Sequence, residues 1–186
     1  MRSDGRLDGE FTTTEIGRLL GLVSEKLAAA GTSALVYVVG GAAIALRHND
    51  RRTTDDVDAL AVPPGEVLAA AREVAHDEGL REDWLSTAAQ PWIPTPHNRL
   101  EPGETPGLDV QLAPPEHLLA MKLIARRGVR DLNDILILAR ALGVSRAEEM
   151  RKIVIAAYGE DMIESVHGGL DNLLLDCQAV ERRLTE

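Results

Sequence analysis

The sequence predicts an α/β (α+β) fold: a small mixed sheet flanked by helices, followed by a C-terminal helical bundle. Three observations carry this reading. Apolar runs or strict alternations of strand length fall at residues 35–39, 57–62 and 108–112, and helical spacing precedes and separates the first two. From Pro114 onward the pattern is helical almost to the end, broken at Gly128, Gly143, Gly159 and the Gly168-Gly169 pair, which implies four or five helices.

The elements follow in order. Thr12 with Glu15 three residues on forms a capping box, and Ile16, Leu19, Leu20, Val23 and Leu27 repeat at helical spacing to an end near Gly31. Residues 35–39 read as a buried strand, Gly40 and Gly41 as the tight turn that ends it, and residues 42–47 as the start of a helix. In the next strand Val57, Ala59 and Ala61 alternate with Asp56, Asp58 and Leu60. Pro63-Pro64-Gly65 breaks the chain, and Val67, Leu68, Ala71, Val74 and Ala75 make an amphipathic helix ending near Gly79. Residues 91–107 hold five of the nine prolines and read as a long irregular loop. Beyond it Leu108, Val110 and Leu112 take one face of a third strand, Asp109 and Gln111 the other. The expected organisation is a flexible lead at 1–10, a core at 11–112 and a helical domain at 113–186.

The chemistry concentrates around the glycine turn. Amide donors at Gly40 and Gly41, with the dipole of the following helix, suit an anion. Strand alternation sets the carboxylates of Asp56 and Asp58 on one face and sends Asp55 to the other. Two adjacent hard oxygen donors suit magnesium. The plain alternative is a solvated acidic turn. Against it, the apolar neighbours Val57, Ala59 and Ala61 mark a buried strand, where clustered carboxylates are costly unless a cation neutralises them. The combination points to a metal-bound nucleoside triphosphate.

A Gly-Gly turn, a short helix and Asp-x-Asp on a strand resemble the signature of the DNA polymerase β-like nucleotidyltransferase superfamily. More narrowly, Gly40-Gly41, then Arg52, Thr54, Asp56 and Asp58, then Lys122 ahead of Arg130-Asp131 and Asp134 look like the AbiEii-type abortive-infection toxins and the related MenT toxins. These motifs span residues 39–134, about half the chain. The resemblance implies magnesium-dependent transfer of a nucleotide from a triphosphate, with tRNA as acceptor and a cognate antitoxin as partner. It makes Asp109 the candidate third metal ligand or general base and Lys122 a phosphate contact. Asp131 or Asp134 becomes an acid closing the site from the helical half, and Arg52 and Thr54 become residues of the nucleotide-binding loop. Arg47, Arg51 and Arg52, with His48, form the densest positive segment nearby, and Arg47 and Arg51 are the candidate acceptor contacts, with Arg52 available to triphosphate or acceptor phosphate.

Structural alternatives stand beside several of these roles. Lys122 in an apolar helix fits a snorkelling side chain. Asp131 fits a helix cap, and Arg127 with Asp131 or Arg130 with Asp134 fits a surface pair. His76, His97, His117 and His167 lack zinc spacing and read as surface residues. Trp92 suits either a stacking platform or a loop anchor.

Composition bounds the function. The chain has 186 residues, is 45% hydrophobic and carries a formal net charge of -10, which opposes a broad nucleic-acid surface and confines any RNA contact to a local basic patch. Cys177 is the only cysteine, so no internal disulfide forms, and a buried inert thiol is expected. Asp4, Asp8 and Glu10 stand where a signal peptide needs apolar residues, and the longest apolar run, 34–46, is too short to span a bilayer. A cytoplasmic protein with no membrane partner is the expectation. Two rivals remain: an enzyme of the same fold that modifies an aminoglycoside-like small molecule or a protein, and a non-catalytic regulatory or antitoxin-type module.

Overall fold

The computed structural model of the chain describes residues 10–48, 53–95, 100–125 and 129–186. It divides into two compact units, Met1–Pro91 with Asn98–Leu112, and Trp92–His97 with Ala113–Glu186.

The first unit holds a four-stranded mixed sheet. Helix α1 (Thr13–Ala29) leads into strand β1 (Ser33–Val38), helix α2 (Gly40–His48), strand β2 (Val57–Val62), helix α3 (Pro64–Glu78), the short strand β3 (Leu85–Ser86) and strand β4 (Gly107–Leu112). The strand order is β3-β2-β1-β4. β1 runs antiparallel to β2 and parallel to β4, and β2 is parallel to β3.

Local chemistry explains these boundaries. Thr12 and Glu15 close the expected capping box, and α1 buries Ile16, Leu19, Leu20, Val23 and Leu27. Gly79 ends α3 in the left-handed conformation, which costs glycine no Cβ clash. Lys26 binds Asp77 at 2.9 Å and Arg18 binds Glu78 at 2.8 Å, tying α1 to α3 through exposed pairs that contribute little individually.

The row Val57, Ala59 and Ala61 on β2, with Ala34, Val36 and Val38 on β1, is buried, while Asp58, Leu60 and Val62 on the opposite row are half-buried. Trp84 is a completely buried anchor absent from the sequence reading. Its indole donates to the Ala71 carbonyl at 3.0 Å, its ring meets Phe11 edge-on at 6.2 Å, and its carbonyl accepts from the Val57 amide at 2.7 Å.

Two features of this unit differ from expectation. β3 and a 3-10 turn at Gln90–Trp92 fall in sequence that shows no alternation. Val110, expected on the buried face of its strand, is 44% exposed, because β4 is the last strand of the sheet and has a neighbour on one side only.

The second unit holds five helices among its described residues: α4 (Pro115–Ala125), α5 (Val129–Leu142), α6 (Ala147–Tyr158), α7 (Glu160–His167) and α8 (Leu170–Thr185). Leu118, Leu119, Leu138, Met150, Ile163 and Leu173 fill its core. Cys177 is buried, and burial pushes its thiol up to about 12.

The histidines correct the surface reading in part. His76 is exposed, but His117 and His167 are buried, and the His167 Nε2 lies 2.9 Å from an Asp176 carboxylate oxygen. His97 lies outside the described residues. No described helix is long and apolar enough to cross a membrane.

Candidate active site

β1 ends at Val38, and α2 begins at once with Gly40, whose φ of +63° lies in the left-handed region. That backbone places the turn against β2. The Val39 amide donates to the Asp58 carbonyl at 2.8 Å, and a Cβ added to Gly40 would lie 3.4 Å from Asp58 Oδ2. The Asp58 carboxylate therefore sits over the glycine turn, at the N-terminus of α2. The positive φ is what favours glycine here, since a Cβ would meet Asp58 only at ordinary contact distance.

Asp56 is the residue just before β2, and the alternation of burial continues through it: Asp56 half-buried, Val57 buried, Asp58 half-buried. Thr54 fixes the approach to the strand. It forms an isolated bridge with Phe11, with backbone bonds of 2.7 and 3.1 Å, and its hydroxyl donates to the Asp56 carbonyl at 3.1 Å. Thr54 thus acts on the backbone that carries Asp56. Gly41 follows in the first turn of α2, and Asp55 is exposed.

Asp109 is not brought to this pair. Asp109 and Val62 both pair with Leu35, whereas Asp58 lies beside Val39, four residues further along β1. At about 3.3 Å per residue the offset is about 13 Å along the strand. Asp109 is exposed and accepts from the Gly103 amide at 2.6 Å, the contact of a loop anchor.

The β4 residue on this face nearer the level of Asp58 is Gln111, which pairs with Tyr37 across from Leu60. Tyr37 shares the Asp58 face of the sheet, and burial pushes its hydroxyl up to about 12, with the Arg47 charge pulling the other way. Neither Gln111 nor Tyr37 was singled out as a site residue. The signal for both was the same period-two alternation that marked Asp58.

Arg47 is exposed on α2 and donates to the Leu112 carbonyl at 3.2 Å, so part of its guanidinium holds the end of β4. Arg51 and Arg52 lie outside the described residues, as does the side chain of His48.

In the helical unit Lys122 lies between two acids of α5. Its Nζ is 2.7 Å from Asp131 Oδ1 and 2.9 Å from Asp134 Oδ2. Asp134 is fully buried and Asp131 nearly so, so neither acid stands on the surface; Arg127 and the side chain of Arg130, their expected pairing partners, lie outside the described residues. An ammonium shared by two buried carboxylates offsets their desolvation and joins α4 to α5. Trp92 is 45% exposed, while its carbonyl accepts from the Tyr158 hydroxyl at 2.6 Å.

Among the described residues, no group of three or more His, Cys, Asp or Glu side chains is placed to hold a metal ion. What stands at the turn is the Asp58 carboxylate beside the N-terminus of α2, with Asp56 two residues before it in the chain.

A small mixed sheet carrying a glycine turn and a neighbouring strand aspartate is the arrangement of a nucleotidyltransferase-type core. Residues 18–164 match a family described as nucleotidyltransferase of unknown function (DUF6036), and the chain belongs to that family. No curated protein and no solved structure matches the chain.

Proposed function

We propose that this protein transfers a nucleoside monophosphate from a nucleoside triphosphate to an acceptor, releasing pyrophosphate. The observation that carries the proposal is the Asp58 carboxylate lying over Gly40 at the start of α2, in a chain of a nucleotidyltransferase family. In this reading Gly40 and Gly41 receive the phosphates, and Asp56 and Asp58 hold magnesium, which would lower the pKa of the attacking hydroxyl and stabilise the pyrophosphate. Thr54 positions Asp56. Lys122, with Asp131 and Asp134, serves to lock the helical unit, since its charge is already matched by two carboxylates. The offset of Asp109 removes it from the proposed ligand set, so the acceptor proton goes to another base or to solvent.

For the acceptor, the resemblance to AbiEii- and MenT-type toxins favours tRNA, with a role in a toxin-antitoxin or phage-defence system and an antitoxin as partner. Arg47, Arg51 and Arg52 are then the tRNA contacts. A second reading has a specific observation behind it: a net charge of -10 attracts a polycationic, aminoglycoside-like acceptor. Incubation with α-labelled triphosphates, magnesium and separate pools of tRNA, protein and aminoglycoside distinguishes them. Label in tRNA supports the first reading, and label only in the aminoglycoside supports the second. Failure to label any pool contradicts both and leaves the non-catalytic module.

A further inference from the structure

The segment that carries Asp56 into β2 is held by residues far from the glycine turn. Thr54 exchanges both backbone bonds with Phe11: its amide donates to the Phe11 carbonyl at 3.1 Å, and its carbonyl accepts from the Phe11 amide at 2.7 Å. That closed pair is one rung of an antiparallel ladder. Beside it the Thr53 hydroxyl donates to the Glu10 carboxylate at 3.1 Å. Between the two carboxylates, the Val57 amide donates to the Trp84 carbonyl at 2.7 Å. Phe11 and Trp84 also touch each other, with ring centroids 6.2 Å apart, and both are buried. One aromatic pair therefore supports residues 54–57 at both ends.

The pair is itself anchored to two helices. Thr12, the residue after Phe11, caps α1, its amide donating to the Glu15 carboxylate at 3.0 Å and its hydroxyl accepting from the Glu15 amide at 3.3 Å. The Trp84 indole donates to the Ala71 carbonyl of α3 at 3.0 Å. Phe11 is thus fixed in place independently of the strand it pairs with.

We propose that Phe11 is a positioning residue for Asp56 and Asp58: its ring, seated against Trp84, and its backbone, paired with Thr54, set the path of residues 54–58 and with it the spacing of the two carboxylates. Like charges two residues apart on one strand face repel, so their backbone moves apart unless it is held. Asp58 is held by β1, through the Val39 amide on its carbonyl. Asp56 precedes β2 and takes its place from the Phe11 side: the Thr54 hydroxyl donates to its carbonyl, and Trp84 accepts the next amide. The use of this spacing, to share a divalent cation, rests on the function proposed above; the hold on the backbone does not.

Two measurements on the intact chain test this: amide hydrogen exchange at Thr54 and Val57, and manganese(II) binding by electron paramagnetic resonance with the Asp58→Asn titration subtracted. Phe11→Ala should speed exchange at both amides and weaken manganese binding, each by at least about tenfold, the scale of losing outer-shell support. Phe11→Leu, which refills most of the space, should bring both back to within about threefold of the parent. Leu27→Ala, a cavity in the last turn of the same helix, should leave both within about threefold as well. Phe11→Val takes the place of Phe11→Ala if the latter does not fold. Parent-like exchange at Thr54 and Val57 in the truncated variant overturns the proposal. So does unchanged manganese affinity, or a Leu27→Ala protein that loses as much, which would make Phe11 one core residue among many. A parent that binds no manganese contradicts the cation role of Asp56 and Asp58 instead, and exchange at the two amides still decides whether Phe11 holds the segment.

Discussion

Lys122→Ala should destabilise the helical unit substantially, and the structure sets the size of the effect. The substitution leaves Asp131 and Asp134, 5% and 0% exposed, without the ammonium that lies 2.7 and 2.9 Å from them. Breaking a buried pair by removing one partner costs about 3–5 kcal/mol. Because the Lys122 side chain is 18% exposed, water partly reaches the vacated space, and the lower end, about 3 kcal/mol, is the better figure. For a chain of this length that lowers Tm by roughly 6–12 °C. Differential scanning calorimetry of Lys122→Ala, Lys122→Met and the double variant Lys122→Met/Asp134→Asn measures it. The double variant should recover part of the loss, since it removes one of the two buried charges that the ammonium offsets. If Lys122→Ala melts within 2 °C of the parent, or if Asp134→Asn makes Lys122→Met worse, the triad does not hold α4 to α5 and the ammonium is free for a phosphate.

Gly40→Ala should cost about 1–2 kcal/mol, because φ of +63° disfavours an L side chain, and should weaken nucleotide transfer if the turn shifts to relieve that strain; urea denaturation and a transfer assay measure the two effects. Asp56→Asn should abolish transfer while leaving the melting temperature unchanged or higher, since it removes one of two neighbouring carboxylates. Burial raises both tyrosines, Tyr37 to about 12, so ultraviolet titration of the native protein should show no tyrosinate at pH 10.5, where the denatured chain is more than half ionised. The unfolded chain then loses protons that the native state keeps, so stability falls as pH rises above 10; a flat stability between pH 10 and 11 contradicts the burial of these hydroxyls. If tRNA is the acceptor and about three arginines contact it, log affinity should fall with log salt at a slope of roughly -2 to -3, and Arg47→Gln should flatten that slope by about one contact.

What could be read from the chain alone was what neighbours in sequence decide. The Thr12–Glu15 box, the left-handed Gly79 and the Gly40 turn depend on a few consecutive residues, and period two sufficed to pair Asp58 with the glycine turn because β1 and β2 are adjacent antiparallel strands. Asp109 shows the limit. Its face was correct, since Asp109 and Asp58 occupy the same side of the sheet, but its height along β1 depends on the pairing register of two strands separated by some seventy residues. The exposure of Val110 follows from strand order, which alternation does not encode. Lys122 looked isolated because its acids lie on the next helix, and His117 and His167 looked peripheral because a polar ring gives no periodic signal of burial.

The most direct test of the proposed activity compares the parent protein with Asp58→Asn. Each is incubated with α-labelled nucleoside triphosphates and magnesium over the three acceptor pools, and covalent label is counted after confirming that the variant melts no lower than the parent. The expected result is label on one acceptor with the parent and loss of at least about a hundredfold with Asp58→Asn, the scale of removing a metal ligand or its outer-shell support. Equal labelling by a folded Asp58→Asn, or no labelling by the parent with any triphosphate and any pool, would contradict a nucleotidyl-transfer site at the β1–α2 turn.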